Sequence, residues 1–395
     1  MFYLQFVNTS ILSIDITLNI ININWIKFYI IYKIKIYTIS EVKFMTYTIK
    51  QDEMTPLERM NAFFNGEDID RLPCSPFLGE SCSSIFGHTI SEYNHSIESI
   101  VDVAIGSYTK FCPDSIGLGP GLQGIPEAMG STLSFPENNT PYIKKAALSN
   151  YDDLHKLKPI DPYKDGRISY FLEALKITHD KIGKMISVGS SVGGPFTTAA
   201  FLRGTDKFLK DLIVNQEMAH RLLSIATESV INYIDAVCDL GLSPSIADPI
   251  ASCTMISRHK FVEFAKPYLK KCEDRIIERC GSGTTLHICG HTKKVWDHII
   301  DLNISNFSLD NAEDLGELKK AYGHKVRLIG NVDPVQTMFL GTREDIYAAA
   351  KECIMKAQDS PRGFILSTGC DVPIGINPDN IIALMDAARI FGRYS

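Results

Sequence analysis

The 395 residues contain no CxxC pair, no GK[ST] phosphate loop and no block of lysine or arginine. Without CxxC pairs or a compact cysteine framework, the ten scattered cysteines read as reduced thiols of a cytoplasmic protein, most of them small core hydrophobes. Without GK[ST] there is no P-loop. A net charge of −6 with no basic cluster argues against nucleic acid or an anionic membrane as partner. No stretch reaches the roughly 18 clean apolar residues of a membrane span, and the N-terminus lacks the basic start and small-residue cleavage site of a secretory signal.

The first 44 residues lack glycine and proline and are rich in Ile, Asn, Tyr and Lys. A β-prone tail of this composition is an aggregation risk if exposed. Residues 1–53 are therefore expected to be an extension outside the functional domain, with translation starting at Met45 or Met54. The alternative is an interfacial or oligomerising segment. Residues 54–395 are expected to form the domain.

That domain opens with "TPLERMNAFFNGEDIDRLP", where Thr55 and Glu58 fit a capping box and Gly66 ends the helix. Eight short apolar runs follow, at 72–79, 115–119, 185–190, 243–248, 284–289, 306–310, 325–330 and 363–369. Helical patterns separate them, notably 207–241 with a join near Asn215–Gln216, 258–281 and 343–358. Eight strand–helix units predict an α/β fold, a (β/α)8 TIM barrel with an N-terminal helical segment. A doubly wound sheet is the runner-up, set aside for want of a dinucleotide-binding glycine motif after an early strand.

In such a barrel, polar residues at the strand ends gather at one mouth. Glu80, Asp248, Asp310, Asn331, Asp333, Cys370 and Asp371 occupy such ends. In "TTLHICGH", His287 and Cys289 share one face of a strand because side chains alternate. Chance alone supplies about 0.25 HxC pairs in a chain with this many His and Cys, so the pair carries little weight by itself. Cys370, after the strand nearly opposite, adds a third donor, and Gly369 is expected to let the backbone turn there. One imidazole and two thiolates form a good zinc set that leaves a fourth position open. Two thiolates make the ion a mild Lewis acid, suited to holding a substrate thiol deprotonated and nucleophilic.

His291 is a rival donor or substrate contact. Asp248 orients the acceptor, supports His287 or caps the next helix, and Glu80 is a candidate displaceable ligand. Asn331 and Asp333 are candidate cofactor contacts or turn formers. The glycine-rich "SSVGGPFTTAAF" would let a bulky cofactor approach the backbone.

"MTPLERMNAFFNGEDIDRLP", "ADPIAS", "LHICGH", "VRLIGNVDP" and "STGCDVPIGINPDNIIALMDAAR" together resemble the uroporphyrinogen decarboxylase superfamily, in its corrinoid-dependent methyltransferase branch. The resemblance implies a barrel, zinc on His287, Cys289 and Cys370, and a partner corrinoid protein that presents methylcobalamin. It also implies a small-molecule methyl acceptor, a thiol such as coenzyme M or, as in some bacterial relatives, tetrahydrofolate. The superfamily's metal-free decarboxylases hold their substrate's carboxylates with early arginines, whereas here no Arg or Lys lies between Arg71 and Lys110. A uroporphyrinogen decarboxylase and a non-catalytic module that binds a corrinoid protein are the competing readings.

Overall fold

The computed structural model describes residues 47–393, so the expectation for the first 44 residues lies outside the described ones. The strands are β1 (Ser115–Leu118), β2 (Thr132–Ser134), β3 (Tyr142–Lys145), β4 (Ser187–Gly193), β5 (Pro244–Ala247), β6 (Thr285–Ile288), β7 (Asn306–Leu309), β8 (Arg327–Val332) and β9 (Phe364–Thr368). Among the described residues, ten α-helices have eight residues or more. They are α1 (Pro56–Asn65), α2 (Ile97–Phe111), α3 (Ile168–Ile182), α4 (Pro195–Arg203), α5 (Thr205–Val214), α6 (Gln216–Asp239), α7 (Lys266–Cys280), α8 (Leu315–Tyr322), α9 (Arg343–Ala357) and α10 (Pro378–Phe391).

Seven strands form one parallel sheet in the order β1-β4-β5-β6-β7-β8-β9. The segment around Cys74 closes the ring between its edges. Ser75 N–H donates to Leu366 O, Leu366 N–H to Pro73 O and Asp114 N–H to Cys74 O, each at 2.9 Å. The arrangement is a (β/α)8 barrel with α1 ahead of it. The expected strand at 72–79 shrinks to a single bridge, Cys74 with Leu366, because Pro73 and Pro76 have no N–H to donate. The other seven expected strands are present. The break in the 207–241 helix falls at Asn215, between α5 and α6.

The hairpin β2–β3 was not anticipated. It is short and largely exposed, and its loop brings Asn139 and Thr140 to the wall of the barrel cavity. Residues 119–124, "GPGLQG", do carry GxGxxG spacing after β1, contrary to the reading above. Their geometry is that of packing: a Cβ on Gly119 would lie 1.9 Å from Ser191 O, one on Gly124 2.3 Å from Pro120 Cβ. The helix that follows spans only Gly124–Ala128.

α1 starts with the capping box of Thr55 and Glu58 and ends at Gly66 in the left-handed region, φ 73°. Its Met60 and Phe63 pack on Ile329 and Ile365, filling the β8–β9 side of the barrel. The opposite side is lined by small inward residues, Ser115 and Gly117 of β1, Ser187, Gly189 and Ser191 of β4, and Ser245 and Ala247 of β5. Barrel interiors are ordinarily filled by branched side chains. Here the small lining leaves a cavity of ≈ 1240 Å³.

Asp52, ahead of α1, joins the domain through its ion pairs. Fully buried Arg59 and Arg71 share the Asp114 carboxylate at 2.5 and 2.7 Å. Asp70 pairs with Arg59 at 2.6 Å and Asp52 with Arg71 at 2.9 Å. Buried cations need such partners, since an unpaired charge in the interior costs several kcal/mol. The same Asp114 accepts the Cys74 N–H at 2.6 Å, which fixes the closing segment of the barrel.

Candidate metal centre

β6 directs Leu286 and Ile288, both fully buried, toward the helices and His287 toward the barrel interior. Cys289 follows at the strand's C-terminal end. Its loop is pinned on both sides: Gly290 N–H donates to Asp310 at 2.8 Å and His291 N–H to Thr254 Oγ1 at 3.0 Å. Gly290 has φ +74°, a conformation that favours glycine.

Cys370 arrives from the end of β9. Gly369 serves there through lack of bulk, and its φ is not in the left-handed region. A Cβ on it would lie 2.6 Å from Asn311 N, and its own N–H donates to Val332 O at 2.8 Å.

His287 Nε2 lies 3.0 Å from Cys289 Sγ, and Cys289 Sγ lies 3.4 Å from Cys370 Sγ. One ligand atom from each of the three residues falls within 4.8 Å of the others. A tetrahedral zinc with ordinary bond lengths places such donors about 3.5–3.8 Å apart, so the donors fit one ion with little adjustment. His287 Nδ1 faces the carbonyl of Ser308 at 3.2 Å and its hydroxyl at 3.0 Å. A proton on Nδ1 given to that carbonyl leaves the Nε2 lone pair aimed at the sulfurs, the usual way a ligating imidazole is oriented. Phe77 packs against the ring, centroids 5.6 Å apart.

The sulfurs polarise one another. The hydrogen bond from Cys289 pulls the Cys370 thiol well below its ordinary range; burial opposes this and His287 adds to it. Cys289 moves the other way, raised by the same hydrogen bond and by burial. His287 is raised, burial being outweighed by Cys370.

The remaining sequence-predicted residues are dispersed. Glu80 begins a 3-10 turn on the cavity wall, accepts from Asn94 at 3.0 Å and has its carboxyl raised by burial. Asp248 is fully buried and accepts from Thr197 N–H at 2.7 Å, Thr197 Oγ1 at 2.6 Å and Phe196 N–H at 3.2 Å, at the start of α4. Burial lifts its carboxyl to about 6. Asn331 donates to the carbonyls of Asp310 at 3.0 Å and Glu313 at 2.8 Å. Asp333 accepts from the amides of Val335 and Gln336, each at 2.8 Å. His291 is exposed, 3.6 Å from Glu313, and is not grouped with the three donors.

The glycine-rich stretch that ends β4 packs inward. A Cβ on Gly194 would meet Asp248 Oδ2 at 2.4 Å and one on Gly193 Leu122 O at 3.1 Å. Ser308 and Phe77 were not anticipated, because only the pairing of β6 with β7 and the path of the closing segment bring them to His287. Asp371 opens onto the cavity beside Cys370; the protein crowding around it and the Cys370 charge push its carboxyl up to about 7.

The family model described as uroporphyrinogen decarboxylase (URO-D) matches residues 55–391. The methylcobamide:CoM methyltransferase MtbA of Methanosarcina acetivorans is 27% identical over 343 residues, covering 85% of this chain and 98% of that protein. MtbA of Methanosarcina mazei is 28% identical over 345 residues, with the same coverage. A solved structure of a methyltransferase from Methanosarcina mazei superimposes with a TM-score of 0.76 at 27% identity, covering 85% of this chain and 98% of that one.

Proposed function

The chain belongs to the uroporphyrinogen decarboxylase family, in its methyltransferase branch, and we propose that it moves a methyl group from a methylated corrinoid on a partner protein to a thiol. The observation that carries this reading is the meeting of His287, Cys289 and Cys370, distant in sequence, within 4.8 Å at the C-terminal mouth of the barrel.

His287, Cys289 and Cys370 would hold zinc. Zinc in such a donor set lowers the pKa of an incoming thiol while leaving its sulfur nucleophilic. Donation from Nδ1 to the Ser308 carbonyl would hold the His287 ring in the ligating tautomer. Phe77 shields that ring. The similar proteins named above carry coenzyme M in their names, which supports a thiol over tetrahydrofolate as acceptor.

The decarboxylase reading fits the cavity poorly. Among the described residues, Arg327 is the single lysine or arginine that lines it, so several substrate carboxylates would lie unpaired. The purified protein is expected to hold one zinc per chain, lost in Cys289→Ser and Cys370→Ser. Its demethylation of methylcobalamin with a thiol present is expected to fall about 100-fold or more in His287→Ala. Equal rates for wild type and His287→Ala would overturn the metal's assigned role.

A further inference from the structure

Arg327 enters the barrel from the first position of β8. Its register partners are Asn306 of β7 and, through Asn306, Thr285 of β6. His287 lies two residues further along β6, and Cys289 four. At about 3.3 Å per residue, some 13 Å of strand separates the Arg327 level from that of Cys289. One continuous cavity touches both ends: His287, Cys370, Asp371 and Glu80 line its upper part, Asn306 and Arg327 its lower part.

Arg327 is under-satisfied where it stands. Its Nε is buried with no hydrogen-bond partner, and so is Asn306 Oδ1 beside it. Its other contacts are a long hydrogen bond from Nη2 to Phe64 O at 3.4 Å and the Phe64 ring, 4.7 Å from the guanidinium carbon. No carboxylate pairs with it among the described residues, and Arg362 adds a second positive charge nearby. A partly buried guanidinium without a counter-ion, facing a cavity, is a ready anion site.

The upper end has the opposite character, since Glu80 and Asp371 line it and no Lys or Arg does. A two-carbon thiol sulfonate with its sulfur at the Cys289–Cys370 pair is too short to span the roughly 13 Å to the Arg327 level. We propose that the methyl acceptor of this chain is an elongated molecule whose anionic end, a carboxylate or similar oxyanion, lodges at Arg327 while its reactive end reaches His287, Cys289 and Cys370. The small residues of β1, β4 and β5 provide the passage between. The proposal rests on the methyl-transfer reading for the reactive end alone. The anion site stands on the geometry of Arg327, whose buried Nε lacks a partner.

Calorimetric titration of the full chain with linear ω-mercaptocarboxylates tests it, from two carbons to about twelve, a range that brackets the 13 Å span. 2-Mercaptoethanesulfonate serves as the short probe. Affinity is expected to rise with length to an optimum, and the longest-fitting acid to bind about tenfold or more tightly than its primary amide. Arg327→Gln should erase the acid-over-amide preference, and Arg327→Lys should restore part of it. The acid-against-amide comparison on wild type needs no variant and so survives a folding defect.

Length-independent binding, or equal affinity for acid and amide, would overturn the proposal. If the short sulfonate then binds in a zinc-dependent way, methyl transfer to a small thiol still stands. If long acids bind through Arg327 equally well with Cys289→Ser and without a thiol group, the anion site stands and the methyl-transfer reading loses its support.

Discussion

Glu273 shows how much one side chain can set against the fold. It lies fully buried on α7, where Oε2 accepts from Thr284 N–H at 3.3 Å and Oε1 has no partner. Burial lifts its carboxyl from 4.5 to about 8. The unfolded chain releases this proton near 4.5 and the folded chain only near 8, so unfolding releases a proton between those values. Stability therefore falls as pH rises through that window, by about 5 kcal/mol. Glu273→Gln keeps the shape and removes the titration. Urea denaturation is expected to show the variant gaining on wild type from about pH 5 to 8, with no gain below 4.5; parallel pH profiles would refute the assignment. Nothing in the local sequence marks this residue, because its burial depends on how α7 docks behind β6.

The same boundary between local and non-local information separates what could be read at the level of elements. His287 and Cys289 were legible because a strand's two-residue period is a local property. Cys370 was legible because its position after the last apolar run follows from the order of elements. Ser308 and Arg327 were not, since strand register decides which residue stands opposite which. The segment 72–79 read as a strand from its apolar residues, yet two prolines deprive it of ladder donors. The β2–β3 hairpin escaped because its strands are short and solvated, which leaves no hydrophobic alternation to detect.

Asp248 belongs to this level too. Strand-end position left chemistry and capping both open, and the structure gives its carboxylate three donors from the first turn of α4, a capping arrangement. Asp248→Ala is expected to cost about 2 kcal/mol of stability and to leave zinc content unchanged. Denaturant midpoints and metal analysis of the same preparation check both halves. Loss of zinc at unchanged stability would move Asp248 back into the site.

At the level of the whole molecule, closing a barrel requires its first and last elements to meet, and here charge joins them. Asp52 lies ahead of α1 and bonds Arg71 at 2.9 Å and Arg389 of α10 at 3.2 Å, so it neutralises guanidiniums from both ends of the domain. Burial works against its charge, but Arg71 and Arg389 outweigh it and hold the carboxyl well below the ordinary range. A carboxyl depressed on folding contributes stability that is fully present above its unfolded value, 3.8, and is lost as pH falls below it. A chain started at Met54 lacks Asp52 and leaves Arg71, fully buried, with Asp114 as its remaining carboxylate partner. Compared with a chain started at Met45, it is expected to lose about 3 kcal/mol at neutral pH. The gap should narrow as pH drops through the carboxylate range, because the longer chain then surrenders the same interaction. Denaturant midpoints of the two chains at pH 7 and pH 3 measure this directly. Equal midpoints at pH 7 would mean that Asp52 does not belong to the domain's charge network, and that the fold is complete from α1 onward.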